Sequence, residues 1–147
     1  MTIKENMWHC KPFNALTTTE LFHIYQVRVA VFEVEQACAY PEVDEKDLIA
    51  QHLFYQASGE ILAYARMIPA ESAVHFGRVL VVKTARHLGL GRQLIKKVLT
   101  EIQHQWADKS IHIQAQTYLQ DFYASFGFKA ISEVYLEDDI PHSDMEK

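Results

Sequence analysis

Apolar and polar positions follow two different periods along the chain, and the places where one period gives way to the other divide it into elements. In "LTTTELFHIYQVRVAVF" the residues Leu21, Ile24, Tyr25, Arg28, Val31 and Phe32 recur at helical intervals. Thr17 stands three residues ahead of Glu20, the spacing of a capping box, so the pattern predicts a first helix there. Residues 34–51, "VEQACAYPEVDEKDLIAQ", carry Pro41 and dense acids and read as a surface loop or broken helix. "HLFYQASGEILAYARMIP" reads as two strands joined at Ser58 and Gly59, and "VHFGRVLVV" as a third extended run. From Gly89 to Trp106, the residues Leu90, Leu94, Ile95, Val98, Leu99, Ile102 and Trp106 form a stripe of period 3.6, the clearest helix in the chain. "SIHIQAQ" predicts a strand, "YLQDFYASFG" a short helix closed by Gly127, and "FKAISEVYLE" a last strand. The order is mixed α and β, without repeats, linkers or low-complexity segments.

With 147 residues, about half of them hydrophobic, the chain suits one α+β domain spanning residues 1–147. No apolar run approaches the roughly 20 residues of a membrane span. "MTIKENMWHC" lacks the basic, apolar, small-residue order of a signal peptide, so a cytoplasmic protein without membrane contact is expected. Cys10 and Cys38 are too few for a disulfide framework or a zinc cluster and read as reduced, buried thiols. A net charge of −5 argues against nucleic acid as a partner. That charge is unevenly placed, however. Lys83, Arg86, Arg92, Lys96 and Lys97, with His87, fall in a run without a single acid, whereas residues 33–47 hold six acids against Lys46. "LEDDIPHSDMEK" is acidic again, and the acids outside the basic run are expected to favour a cationic or amine-bearing partner.

The basic run coincides with "RHLGLGRQL", where Gly89 and Gly91 stand between an extended run and the long helix. A strand, a glycine turn and a helix N-terminus together form an anion site, because unpaired N–H groups point outward and the helix dipole favours negative charge. Arg86, Arg92 and Lys96 add charge, so the turn suits a pyrophosphate. The Walker loop and the dinucleotide fingerprint both require glycine spacings absent here.

The order Arg-x-x-Gly-x-Gly in "RHLGLG", preceded by "VLVV" and followed by "YASFGF", resembles the GNAT superfamily of acyl-coenzyme A N-acyltransferases. "VRVAVFEVEQACAYPEVDEKD", "AQTYLQDFYASFGF" and "EDDIPHSDM" resemble its ElaA branch, so the likeness covers nearly the whole chain. The resemblance implies a mostly antiparallel, twisted central sheet flanked by helices, with strands splayed at the coenzyme A site. It implies that His87, Leu88, Gly89, Leu90, Gly91 and Arg92, with Arg86 at the head of the motif, hold the pyrophosphate. Leu80, Val81 and Val82 would offer main-chain groups to pantetheine, as a strand edge offers them to another strand. Tyr123, the tyrosine of Tyr-x-x-x-Gly-Phe, would lie near the thioester sulfur.

The implied chemistry is direct transfer of an acetyl group from acetyl-coenzyme A to an amine in a ternary complex. Tyr123 suits the general acid, since a phenol with a pKa of about 10 keeps its proton at neutral pH. Glu33, Glu35 and His75 are the candidate bases. His52 and His142 belong to the branch-specific stretches and are expected on the acceptor side. The histidines lack the spacing of a metal site, and no metal is expected. A small amine, an amino acid, a peptide N-terminus or a lysine side chain would each serve as acceptor, and the sequence leaves monomer and homodimer both open. A second reading is a regulatory domain that binds acyl-coenzyme A without turning it over.

Overall fold

The period-two runs assemble into one eight-stranded sheet. In the computed structural model, which describes residues 7–36 and 41–147, the strands are β1 (Met7–Pro12), β2 (Gln51–Ala57), β3 (Glu60–Pro69), β4 (Ala73–Val81), β5 (Ser110–Gln116), β6 (Lys129–Ala130), β7 (Tyr135–Glu137) and β8 (Ile140–Glu146). Their order is β1-β2-β3-β4-β5-β8-β6, with β7 also paired to β8, and every pairing is antiparallel except β4 with β5. Ser58 and Gly59 turn β2 into β3 with φ of 52° and 81°, the doubly positive conformation that matches the twist of a hairpin.

Helix α1 (Thr18–Val29) starts at the expected capping box, in which Glu20 N–H donates to Thr17 Oγ1 at 3.0 Å and Thr17 N–H to Glu20 Oε1 at 2.9 Å. It continues into a π-helical turn over Ala30–Glu35. The α1 unit covers one sheet face, where Ile24, Val31 and Phe32 meet Phe54, Tyr64 and Leu80. Helix α2 (Leu90–Gln105) covers the other, burying Leu90, Leu94, Ile95, Val98 and Ile102 of the expected stripe. Each such side chain contributes about 1.5–3 kcal/mol on leaving water. Helix α3 (Gln120–Ala124) lies on the same face and ends at Gly127, whose φ of 97° supplies the left-handed cap. No helix among the described residues is long and apolar enough to cross a membrane.

Two features open the sheet at its centre. Strands β4 and β5 pair only over Ala73–His75 and Ser110–His112, then diverge. On its other edge β4 carries a bulge, since Tyr64 pairs with Leu80 but Arg66 with Gly77, and Arg78 within it has a φ of 52°.

Some expectations change. The predicted last strand is broken into β6 and β7, and the polar tail beyond it folds back as β8, paired with β5, β6 and β7. The N-terminal stretch contributes the edge strand β1. Most of the acids in the expected surface loop are withdrawn from solvent or paired. Glu42 and Asp47 are buried, bound to Arg28 Nε and Nη1 at 2.7 Å each, while Arg66 holds Asp44 at 2.6 Å and Asp47 at 3.0 Å. Arg78 Nε reaches Glu42 at 2.9 Å. Three arginines thus match three carboxylates in space, and the field expected of those acids is cancelled. Cys10 is a half-buried free thiol, whose pKa burial and then Glu101 push up to about 12; Cys38 lies outside the described residues.

Candidate active site

Divergence of β4 from β5 leaves a cavity of about 710 Å³ that runs from the α1 face of the sheet to α3. Strand alternation decides what lines it. Ile111, Ile113 and Ala115 of β5 turn to the α2 core, so His112, Gln114 and Gln116 turn to the cleft. His75, Arg66 and Asp144 join them from β4, β3 and β8, and His142 and Glu137 close the far wall. None of Arg66, His112 or Gln114 was singled out from sequence. The signal was there in the alternation of "SIHIQAQ" and in a lone arginine within the apolar run of β3.

Tyr123 is buried on α3 between Phe76, Phe122 and Phe128, with ring centroids 6.3, 5.3 and 5.9 Å away, and it reaches the cavity. Among the described residues nothing hydrogen-bonds its hydroxyl. Burial, and then Tyr118, raise its pKa above the ordinary phenol value, so it holds its proton throughout the neutral range.

The three candidate bases part company. His75 lines the cavity at the closed end of the splay, and burial, followed by the neighbouring His112, lowers its pKa from 6.5. It is therefore a neutral imidazole at pH 7. Glu35 is exposed and bound through both oxygens to Arg86 Nη1 and Nη2, which holds its carboxyl below the usual range; it does not line the cavity. Glu33, on the same π-helical turn, does not line it either. His52 is fully buried away from it: Nε2 donates to the Asp47 carbonyl at 2.8 Å, and Nδ1 accepts from the Tyr64 hydroxyl at 2.6 Å.

The glycine turn follows the splayed end of β4, past the turn Lys83–Ala85, and its residues do not line the cavity. His87 and Gly89 take φ of 68° and 78°, and Gly89 caps α2. The first helical bond runs from Gln93 N–H to Gly89 O at 3.2 Å, so the amides of Leu90, Gly91 and Arg92 have no partner within the helix. A Cβ on Gly91 would meet only Val81 Cγ2, at 3.9 Å. Packing does not require glycine there, whereas an anion brought against those amides does, and the site fits a pyrophosphate. Arg92 lies over the Phe126 ring at 4.6 Å, tying the turn to α3. Arg86 is turned elsewhere: besides Glu35 it donates from Nε to the Val81 carbonyl at 2.9 Å.

Register also sorts the three strand residues. Val82 N–H donates to Leu62 O at 2.9 Å, making 62/82 and then 64/80 the hydrogen-bonded pairs with β3. Leu80 and Val82 thus spend their main-chain groups on β3 or the following turn, and only Val81 faces the crevice. Its carbonyl is taken by Arg86, which leaves its N–H.

A family model described as acetyltransferase (GNAT) domain matches residues 22–147. A UPF0039 protein of Schizosaccharomyces pombe is 47% identical over 138 residues, 92% of each chain. Protein ElaA of Escherichia coli is 39% identical over 143 residues, 94% of each chain. The crystal structure of an acyl-CoA N-acyltransferase from Pseudomonas aeruginosa matches with a TM-score of 0.94 at 42% identity, over 97% of this chain and 99% of that one. A splayed sheet with a glycine turn beyond the splayed end of β4, and these relatives, lead to one conclusion: the chain belongs to the GNAT acetyltransferase family, alongside ElaA.

Proposed function

We propose that the protein is an N-acetyltransferase that moves the acetyl group of acetyl-coenzyme A directly to an amine held in the cleft. The observation that carries this reading is the splay of β4 from β5, with a polar cleft that Tyr123 lines and, beyond the splayed end of β4, a glycine turn with open amides at the start of α2. The amides of residues 88–92 take the pyrophosphate, and the Val81 N–H takes an amide carbonyl of pantetheine. Leu80 and Val82 shape the strand, and Arg86 steadies it by capping Val81. In the cleft His75 removes the proton of the acceptor ammonium. The amine lone pair attacks the thioester carbonyl, a C–N bond forms, the C–S bond breaks, and the departing thiolate takes the Tyr123 proton. The nitrogen, cationic after attack, loses its second proton to solvent, and the protonated His75 and the Tyr123 phenolate exchange protons through solvent, so the net products are an amide, a free thiol and one proton.

Glu137 and Asp144 line the cleft beside Lys46, Arg66 and Arg78, so the acceptor side keeps acidic groups besides the carboxylates that Arg28 and Arg66 bind. That supports a small amine or peptide amine as acceptor. Such an enzyme works in the cytoplasm without a metal or a nucleic acid partner.

Thiol release from acetyl-coenzyme A against a panel of amines, amino acids and peptides tests the reading. Turnover with at least one acceptor, reduced in His75→Gln, is expected. Tight binding of acetyl-coenzyme A with no transfer to any amine would instead favour a regulatory domain.

A further inference from the structure

The registers of two neighbouring pairings place three side chains in one row on the cleft face of the sheet. His75 on β4 is the pairing partner of His112 on β5, and His112 is the partner of Glu146 on β8. The two imidazole rings stand 5.4 Å apart at 73°, edge against face. Glu146 Oε2 lies 2.7 Å from His112 Nε2, with Ser110 Oγ at 3.3 Å from the same nitrogen. A carboxylate can only accept, so Nε2 is the nitrogen that carries the proton, and the His112 ring is fixed in tautomer and in rotation.

We propose that His112 and Glu146 are positioning residues for His75, a row across three strands that fixes the orientation of its imidazole at the cleft. This rests on the reading of His75 as the base that receives the acceptor's proton. A base acts only when its lone pair points at the proton it removes, and misplacement by about 1 Å can cost about 100-fold. His75 itself is exposed, and among the described residues no hydrogen bond holds its ring nitrogens. The His112 ring standing against it is the group that limits its rotation, and Glu146 in turn anchors that ring. The other charged groups facing His75 are Lys46, from the turn over Glu45–Leu48, and Asp144 of β8. Neither is in register with it.

Two readouts separate this inference from the reading beneath it. Proton NMR titration of the His75 ring, which needs no turnover, is followed in the full chain and in His112→Gln, Glu146→Ala and Glu146→Gln. His112→Gln removes the second cause of His75's lowered pKa, so its midpoint should move to higher pH. In steady-state kinetics His112→Gln and Glu146→Ala should lose between about 10- and 100-fold in kcat, with KM for acetyl-coenzyme A unchanged. Glu146→Gln, which still offers an amide oxygen to Nε2, should recover most of that loss. An unmoved His75 midpoint in His112→Gln, or no recovery in Glu146→Gln, overturns the row. If His75→Gln turns over like wild type, the base assignment fails and the row, as a catalytic device, fails with it, even where the midpoint moves.

Discussion

Gly91 is the position where the demands of the fold and of the ligand part, so Gly91→Ala should move stability and affinity in opposite directions. Its φ is helical and an added Cβ would meet only one methyl group at 3.9 Å, so alanine enters without strain. Replacing glycine by alanine within a helix stabilises by about 0.5–1 kcal/mol. In the first turn of α2 the lower figure applies, which for a chain of this size raises the midpoint of thermal unfolding by about 1–2 °C. In the proposed cradle the same methyl would stand between the phosphate and the amides of residues 90–92. Loss of one charge-assisted hydrogen bond costs about 1.5–3 kcal/mol, a weakening of coenzyme A binding by about 10- to 150-fold. Thermal denaturation without ligand and titration calorimetry with coenzyme A give the two numbers on one preparation. Gly91→Asp should bind more weakly still while remaining folded, since an acid at a helix N-terminus suits the dipole and repels the phosphate. A variant more stable than wild type with unchanged affinity would refute the phosphate cradle, and a less stable one would refute the open space beside Gly91.

Tyr123→Phe keeps the ring packing among Phe76, Phe122 and Phe128, so coenzyme A affinity should hold while single-turnover transfer falls about 10²- to 10⁴-fold; a few-fold loss would mean that water supplies the proton. Arg28→Ala leaves Glu42 and Asp47 buried without their cation, and urea unfolding should show a loss of about 3–5 kcal/mol; a loss below 1 kcal/mol would show that the network relaxes to water. Burial lowers the pKa of His52 from 6.5, so the folded state binds its proton less readily than the unfolded chain. The stability it contributes is complete above about pH 6.5 and is lost as pH falls through the folded value, and His52→Gln should flatten unfolding free energy against pH in that window.

Local rules made much of the fold legible. The Thr17–Glu20 box, the Leu90–Ile102 stripe, the Ser58–Gly59 turn and the Gly127 cap each depend on residues within one or two turns of each other, and each forms where the spacing puts it. What stayed hidden depends on partners distant in sequence. The run of acids looks solvated because Arg28, Arg66 and Arg78 lie 14 to 36 residues from the carboxylates they bind. β8 escaped notice because only Ser143 and Met145 of "IPHSDME" are buried, too short an alternation to stand out beside Pro141 and two acids. At the site, the glycine turn and Tyr123 were legible through their motif. That His75 lines the cavity while Glu33 and Glu35 stand off it was not, because it turns on which side of β4 a residue faces and on where Arg86 finds its partner.

The short seam between β4 and β5 also bears on how the molecule comes apart. Within the sheet, three residue pairs join a half built from β1 to β4 to a half contributed wholly by residues 110–147, closed on itself where Lys147 and Ile111 exchange both main-chain bonds at 2.9 and 3.0 Å, and the α2 core supplies the rest of their contact. In native-state hydrogen exchange the two halves are then separate cooperative units, and amides of the second open at a lower free energy than the whole. A ligand lying in the crevice touches both. Its binding therefore slows exchange on β5 and β8 as well as on β4, and makes one unfolding unit of two.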